Sequence, residues 1–172
     1  MKLSDSRTLD ADVATVWAAL LNADVLKACV PGCTEMSGSA QDGFEATVVQ
    51  KVGPVKATFK GAVTLSDMIE NESLKIDGEG KGGAAGFAKG GAVVRLEPNG
   101  ETTELHYDVE ARVGGKLAQL GSRIIDGFAK KMADQFFTNF QDAVGNPADD
   151  EDSAESGDEE TKKKGWFKRL VS

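Results

Sequence analysis

Between Gly115 and Val144 the apolar residues Leu117, Leu120, Ile124, Phe128, Met132, Phe136 and Phe140 recur at steps of three or four. This is the spacing that sets side chains on one stripe of an α-helix, and it predicts a single long helix with that stripe buried. Gly114 and Gly115 mark its start. Gly145, Asn146 and Pro147 mark its end, because proline disfavours helical geometry at the residue before it. Gly121 and Gly127 then fall inside the helix at about 1 kcal/mol each relative to alanine; tight packing on a sheet and close approach of a bound molecule both account for them. At the other end of the chain, Lys2 to Leu9 reads as a strand. Asp10 or Asp12 can cap a helix whose Val13, Val16, Trp17, Leu20 and Leu21 share one face. Asn22 and Asp24 permit a second short helix through Val25, Leu26 and Ala28, ended by Val30, Pro31 and Gly32.

From Cys33 the period becomes two, with breaks at Asp42-Gly43, Gly53-Pro54, Asn71, Gly82-Gly83 and Asn99-Gly100. Connections this short imply antiparallel neighbours. Phe44, Ala46, Val48 and Gln50 oppose Glu45, Thr47 and Lys51. Phe59, Val63 and Leu65 oppose Lys56, Lys60 and Thr64; Leu74 and Ile76 oppose Lys75 and Asp77; Leu105, Tyr107 and Val109 oppose His106, Asp108 and Glu110. One face of the sheet is dry and the other wet. The class is therefore α+β: a curved antiparallel sheet of about six to seven strands wrapped around the long C-terminal helix, with two short helices after the first strand. Ala46, Ala57, Gly61, Gly78, Gly80, Ala92 and Ala111 fall on the dry parity. Residues so small leave room for a cavity between sheet and helix.

Gly78, Gly80 and Gly83 satisfy G-x-G-x-x-G, but that fingerprint needs a helix N-terminus after it to meet a phosphate. Ala92 to Glu97 reads as a strand instead. The glycines between Gly78 and Gly91 point to bulges or a mobile flap. Strict alternation puts Phe87 outside, and a bulge at Gly90-Gly91 would turn it inward. His106, the one histidine, lies on the wet parity beside Glu104 and Asp108, so no zinc site or catalytic triad assembles in the usual way. Cys29 and Cys33 form either a redox pair or ordinary packing around Pro31-Gly32. Gln50 and Tyr107 are the polar groups on the dry parity, each a satisfied core group or a handle for a ligand carbonyl.

Composition changes this picture mainly at the C-terminus. The chain of 172 residues has net charge −8. Asp149 to Glu160 carries −8, and Lys162, Lys163, Lys164, Lys168 and Arg169 carry +5, which leaves −5 on the first 148 residues. A mildly acidic domain, expected to have no basic face, excludes nucleic acid as an expected partner. Residues 146–161 are too polar to bury a core and read as an extended acidic linker. Residues 162–172 form a basic amphipathic tail in which Trp166, Phe167, Leu170 and Val171 share one helical arc against Lys168 and Arg169. That is the composition of a reversible membrane anchor. A docking peptide and an inert tail remain the alternatives. The expected organisation is thus a domain over 1–145, a linker over 146–161 and an anchor over 162–172. With neither a signal peptide nor an apolar run long enough to span a bilayer, the expected place is the cytoplasm, at the inner face of the cell membrane.

The order of elements resembles the START-like superfamily with its helix-grip fold. The strings Leu26-Lys27-Ala28-Cys29-Val30-Pro31-Gly32-Cys33, Gly115 to Arg123 and Lys130 to Phe137 resemble the CoxG family of carbon monoxide dehydrogenase proteins over about residues 1–145. The resemblance implies a non-enzymatic accessory protein of a molybdenum hydroxylase, one that brings the enzyme to an anionic membrane surface. Joined to the expected cavity, it suggests a hydrophobic small molecule, an isoprenoid quinone, as a non-covalent ligand. The pocket would then be lined by Phe59, Val63, Leu74, Ile76, Leu105, Tyr107 and Val109 of the sheet with Leu117, Leu120, Ile124 and Phe128 of the helix. Residues 82–91 and Pro31-Gly32 would be its portals. A purely structural adaptor without ligand is the rival reading, and a START-like cyclase or hydrolase a third.

Overall fold

The computed structural model describes residues 1–145, and the expected linker and anchor lie outside them. Strand β1 (Lys2–Leu9) leads into helices α1 (Val13–Leu20) and α2 (Ala23–Cys29). Each helix starts where a short polar side chain can replace a missing backbone acceptor. Asp12 accepts from the Thr15 N–H at 2.9 Å, and Asn22 accepts from the Asp24 and Val25 N–H groups at 2.9 and 3.2 Å. Six strands follow: β2 (Cys33–Ser39), β3 (Gly43–Val52), β4 (Val55–Ile69), β5 (Ser73–Lys81), β6 (Phe87–Asn99) and β7 (Thr102–Gly114). They form one antiparallel sheet in the order β1-β7-β6-β5-β4-β3-β2. The first strand thus closes against the last, and α1 and α2 carry the chain from one sheet edge to the other.

The C-terminal helix differs from the expectation. Instead of one helix from Gly115, there is a single turn α3 (Lys116–Gln119), a break, and then α4 (Ser122–Gly145). Gly121 has φ +90° and makes the break; it is not a helix-interior residue. Residues at steps of four advance about 400°, so such a run drifts about 40° per step around the helix. The sequence stripe therefore departs from the true inner face at its start, where Ile124 is exposed and Ile125 takes the inward place, while Phe128, Met132, Phe136 and Phe140 stay on the buried side. That face carries Ile125, Phe128, Ala129, Met132, Ala133, Phe136 and Phe137, with Phe140 and Val144 buried beyond them. Gly127 is exposed, with nothing within 4 Å of where a Cβ would stand, so neither account given for it applies.

The space between helix and sheet is filled at both ends and not between. At one end Leu9, Val16, Trp17, Leu96, Phe140 and Val144 belong to a solid core with α1 and α2. At the other, Val52, Leu117 and Ile125 form a small plug, with Phe59, Leu120 and Phe128 packed against it.

Candidate functional site

Between core and plug lies a cavity of about 630 Å³, within the usual size range of small-molecule pockets. Its floor is the dry face of the sheet. Phe44, Ala46, Val48, Gln50 and Val52 come from β3, Phe59, Val63 and Leu65 from β4, Leu74, Ile76 and Gly80 from β5, and Leu105, Tyr107, Val109, Ala111 and Val113 from β7. Unbroken pairing from Ser73↔Arg95 to Lys81↔Phe87 keeps β5 and β6 in phase, so Ala88, Ala92 and Val94 face inward. No bulge forms at Gly90-Gly91, and Phe87 stays outside at 40% exposure. The small inward residues do leave room, though unevenly: Ala46, Gly80, Ala92 and Ala111 border the cavity, whereas Ala57, Gly61 and Gly78 do not.

Of the residues expected to line the pocket, Phe59, Val63, Leu74, Ile76, Leu105, Tyr107, Val109, Leu117 and Phe128 do so, and Leu120 and Ile124 do not. The turn at Gly121 rotates these two toward the β3–β4 connection. A Cβ on Gly53 would lie 3.6 Å from Ile124 and 3.9 Å from Leu120. The expected membrane-binding residues Lys162, Lys163, Lys164, Trp166, Phe167, Lys168, Arg169 and Leu170 lie outside the described residues. Sequence reasoning missed Ile125, Ala129, Ala133 and Phe137, because it followed one line of residues along the helix, whereas a packed helical face is two lines wide. It also missed Leu3, Leu20, Leu26, Val30 and Met36, whose place on the wall depends on how the edge strands β1 and β2 and the helices α1 and α2 come together and leaves no local signal.

Polar atoms contribute almost nothing to the cavity surface. Gln50 uses its amide to donate to the Pro31 carbonyl. The Tyr107 oxygen accepts from Arg7 Nη2 at 3.4 Å, and Arg7 also donates to Asp134 at 2.5 Å. The Arg7 guanidinium lies 5.2 Å over the Phe137 ring, on which Tyr107 stacks at the same separation. Hydrogen bonding to Arg7 holds the Asp134 carboxyl below its ordinary range. Both polar side chains of the lining therefore spend these groups on the protein. Of the two readings open for Tyr107, the geometry favours a core group, and the cavity offers a hydrocarbon wall.

The loops expected as portals are tied down. Val49 N–H donates to Gly32 at 2.9 Å, and Gly32 has φ +78° with Val49 O where a Cβ would go. Gly82 N–H donates to Gly86 at 2.8 Å across a 3₁₀ turn at Gly83–Ala85. On the wet face, His106 Nε2 sits 3.0 Å from Glu97 and 3.5 Å from Glu104. These three bring their ligand atoms within 4.8 Å of one another, remote from the cavity. The hydrogen bond from His106 chiefly holds the Glu97 carboxyl low. Glu97, from the neighbouring strand, is the partner that strand alternation within β7 could not supply.

The family of the carbon monoxide dehydrogenase G-subunit (CoxG) matches residues 6–145. The chain belongs to that family. Among solved structures, this CoxG-family chain is 30% identical to a conserved protein from Geobacillus kaustophilus, over 84% of this chain and 95% of that one, with TM-score 0.78. A START superfamily protein from Mycobacterium smegmatis is 14% identical over 83% and 96%, with TM-score 0.63. A Thermus thermophilus protein is 12% identical over 84% and 97%, with TM-score 0.64. The last two share the fold, which is START-like. No curated protein matches the chain. Among the described residues no helix is long and apolar enough to cross a membrane.

Proposed function

We propose that this CoxG-family chain is a non-enzymatic accessory protein of a molybdenum hydroxylase of the carbon monoxide dehydrogenase type, holding a hydrophobic ligand in its cavity and linking the enzyme to the membrane. The observation that carries the ligand is the hydrocarbon wall. A ligand oxygen buried against it would lose its hydrogen bonds to water at about 1–3 kcal/mol. Each CH₂ buried gains about 0.8 kcal/mol, so ten to fifteen carbons contribute about 8–12 kcal/mol before association costs. An isoprenoid quinone meets both conditions when its tail occupies the cavity and its carbonyls stay at the rim, within reach of a redox partner. Phe59, Val63, Ile76, Val109 and Phe128 would hold that tail. The lining side chains include no histidine, carboxylate or amine, and the N-terminal ammonium of Met1 is spent on the Ala111 carbonyl, which supports a carrier over a cyclase or hydrolase. The amphipathic tail supplies the link to lipid.

Lipid extraction and mass spectrometry of the purified full-length protein, beside liposome sedimentation of a chain ending at Gly145, test this reading. A co-purified isoprenoid quinone with sedimentation lost on truncation is the expected result. No ligand, with sedimentation still lost, would leave a structural adaptor and overturn the carrier.

A further inference from the structure

Charge is divided along the strands. On the wet face, Lys51 stands directly opposite Lys56 and Lys60 directly opposite Lys81. Facing like charges destabilise a sheet, and none of the four has an ion pair within 4 Å among the described residues. A third such pair, Lys89 opposite Arg112, is offset in part by Glu79 across from Lys89. These cations lie toward the pole formed by the β3–β4 turn, the β5–β6 connection and the α3–α4 break, where exposed Lys116 and Arg123 join them. The acids gather at the opposite pole, where Asp42, Glu70, Glu72 and Glu101 occupy or adjoin the turns. A domain of net negative charge thus keeps one basic end, contrary to the expectation of no basic face, because sheet pairing gathers cations that are far apart in sequence.

That end also exposes apolar groups. Ile124 is 42% and Phe87 40% exposed, and Pro54 is exposed on the turn that packs beside Ile124 and Leu120. Beneath them lies only the plug of Val52, Leu117 and Ile125, the thin end of the cavity. An acidic protein segment would satisfy the lysines but give no use to an apolar tip. An anionic lipid surface uses both, since phosphates pair with the cations while the tip enters the interface.

We infer that this pole docks on an anionic bilayer and presents the plugged end of the cavity to the lipid. The inference extends the proposed membrane link from the tail to the folded domain. It explains why Leu120 and Ile124 leave the wall: they form the tip that meets the lipid.

The test compares full-length wild type with a Lys51→Gln, Lys56→Gln, Lys81→Gln variant on phosphatidylglycerol-rich and pure phosphatidylcholine vesicles. The variant should partition to the anionic vesicles at least about tenfold more weakly, with ligand content unchanged. In parallel, an environment-sensitive dye at Pro54→Cys in a Cys33→Ser background should shift to the blue on anionic vesicles, and the same dye at Glu101→Cys should not. Unchanged partitioning, or equal shifts at both dye positions, would overturn the inference. If truncation after Gly145 abolishes sedimentation while the triple variant binds like wild type, the tail-borne link stands and the docking pole falls. If the variant keeps its vesicle binding but no longer co-elutes with the hydroxylase, the pole belongs to an acidic protein and the bilayer assignment fails.

Discussion

Cys29 shows how a residue's surroundings decide between readings that its spacing leaves open. It is buried, Asn139 donates to its carbonyl at 3.0 Å, and burial pushes its thiol up to about 12. A thiol reacts as the thiolate, so native Cys29 is inert near neutral pH, and Cys33, half-buried and bonded to the Glu35 carbonyl, should take up iodoacetamide alone at pH 8. Mass spectrometry of native and denatured samples checks this, and equal labelling would contradict it. The linkage has a definite sign. Between the ordinary thiol value near 8.5 and about 12, the unfolded chain binds fewer protons than the native one, so this group's contribution to stability is full below that window and is lost as pH rises through it. Arg7 makes the complementary point. Alternation along β1 turns it inward, an unfavourable place for a cation until Asp134, 127 residues later, meets it. No window of sequence contains both.

At the scale of the element, two glycines of one apparent helix have opposite roles. Gly127 sits exposed within α4 with open space around it, so Gly127→Ala should stabilise the protein by about 1 kcal/mol through helix propensity alone. Gly121 holds φ +90°, also with open space, so Gly121→Ala should destabilise by more than about 1 kcal/mol through backbone strain alone. Urea unfolding of the two variants checks both signs, and an uninterrupted helix would instead make both substitutions stabilising. Periodicity saw every strand, because alternation depends only on the nearest neighbours of each residue. It placed Phe128, Met132, Phe136 and Phe140 on the buried side and misjudged the start of the long helix, where the break at Gly121 turns Ile124 out and Ile125 in. Phe87 stayed outside for a matching reason: continuous pairing of β6 with both neighbours leaves no place for a bulge.

For the whole molecule the deciding feature is space. Ala92 pairs with Ile76 on one side and Val109 on the other, and all three border the cavity floor. Ala92→Leu should therefore cost less than about 1 kcal/mol while reducing co-purified ligand. In a filled interior the same change would overpack, at about 1–3 kcal/mol. Urea midpoints and lipid extraction on one variant distinguish the two.

Sequence by itself determined the strand boundaries, the starts of the two short helices, the division into dry and wet faces and most of the sheet side of the cavity. Each of these depends on interactions within a few residues. Tertiary structure alone decided that α4 turns Ile125 inward and Ile124 out, that Tyr107 spends its oxygen on Arg7, and that eight separated cations share one end of the molecule. These follow from closing a seven-stranded sheet around a helix, which joins β1 to β7 and sets residues a hundred positions apart in contact.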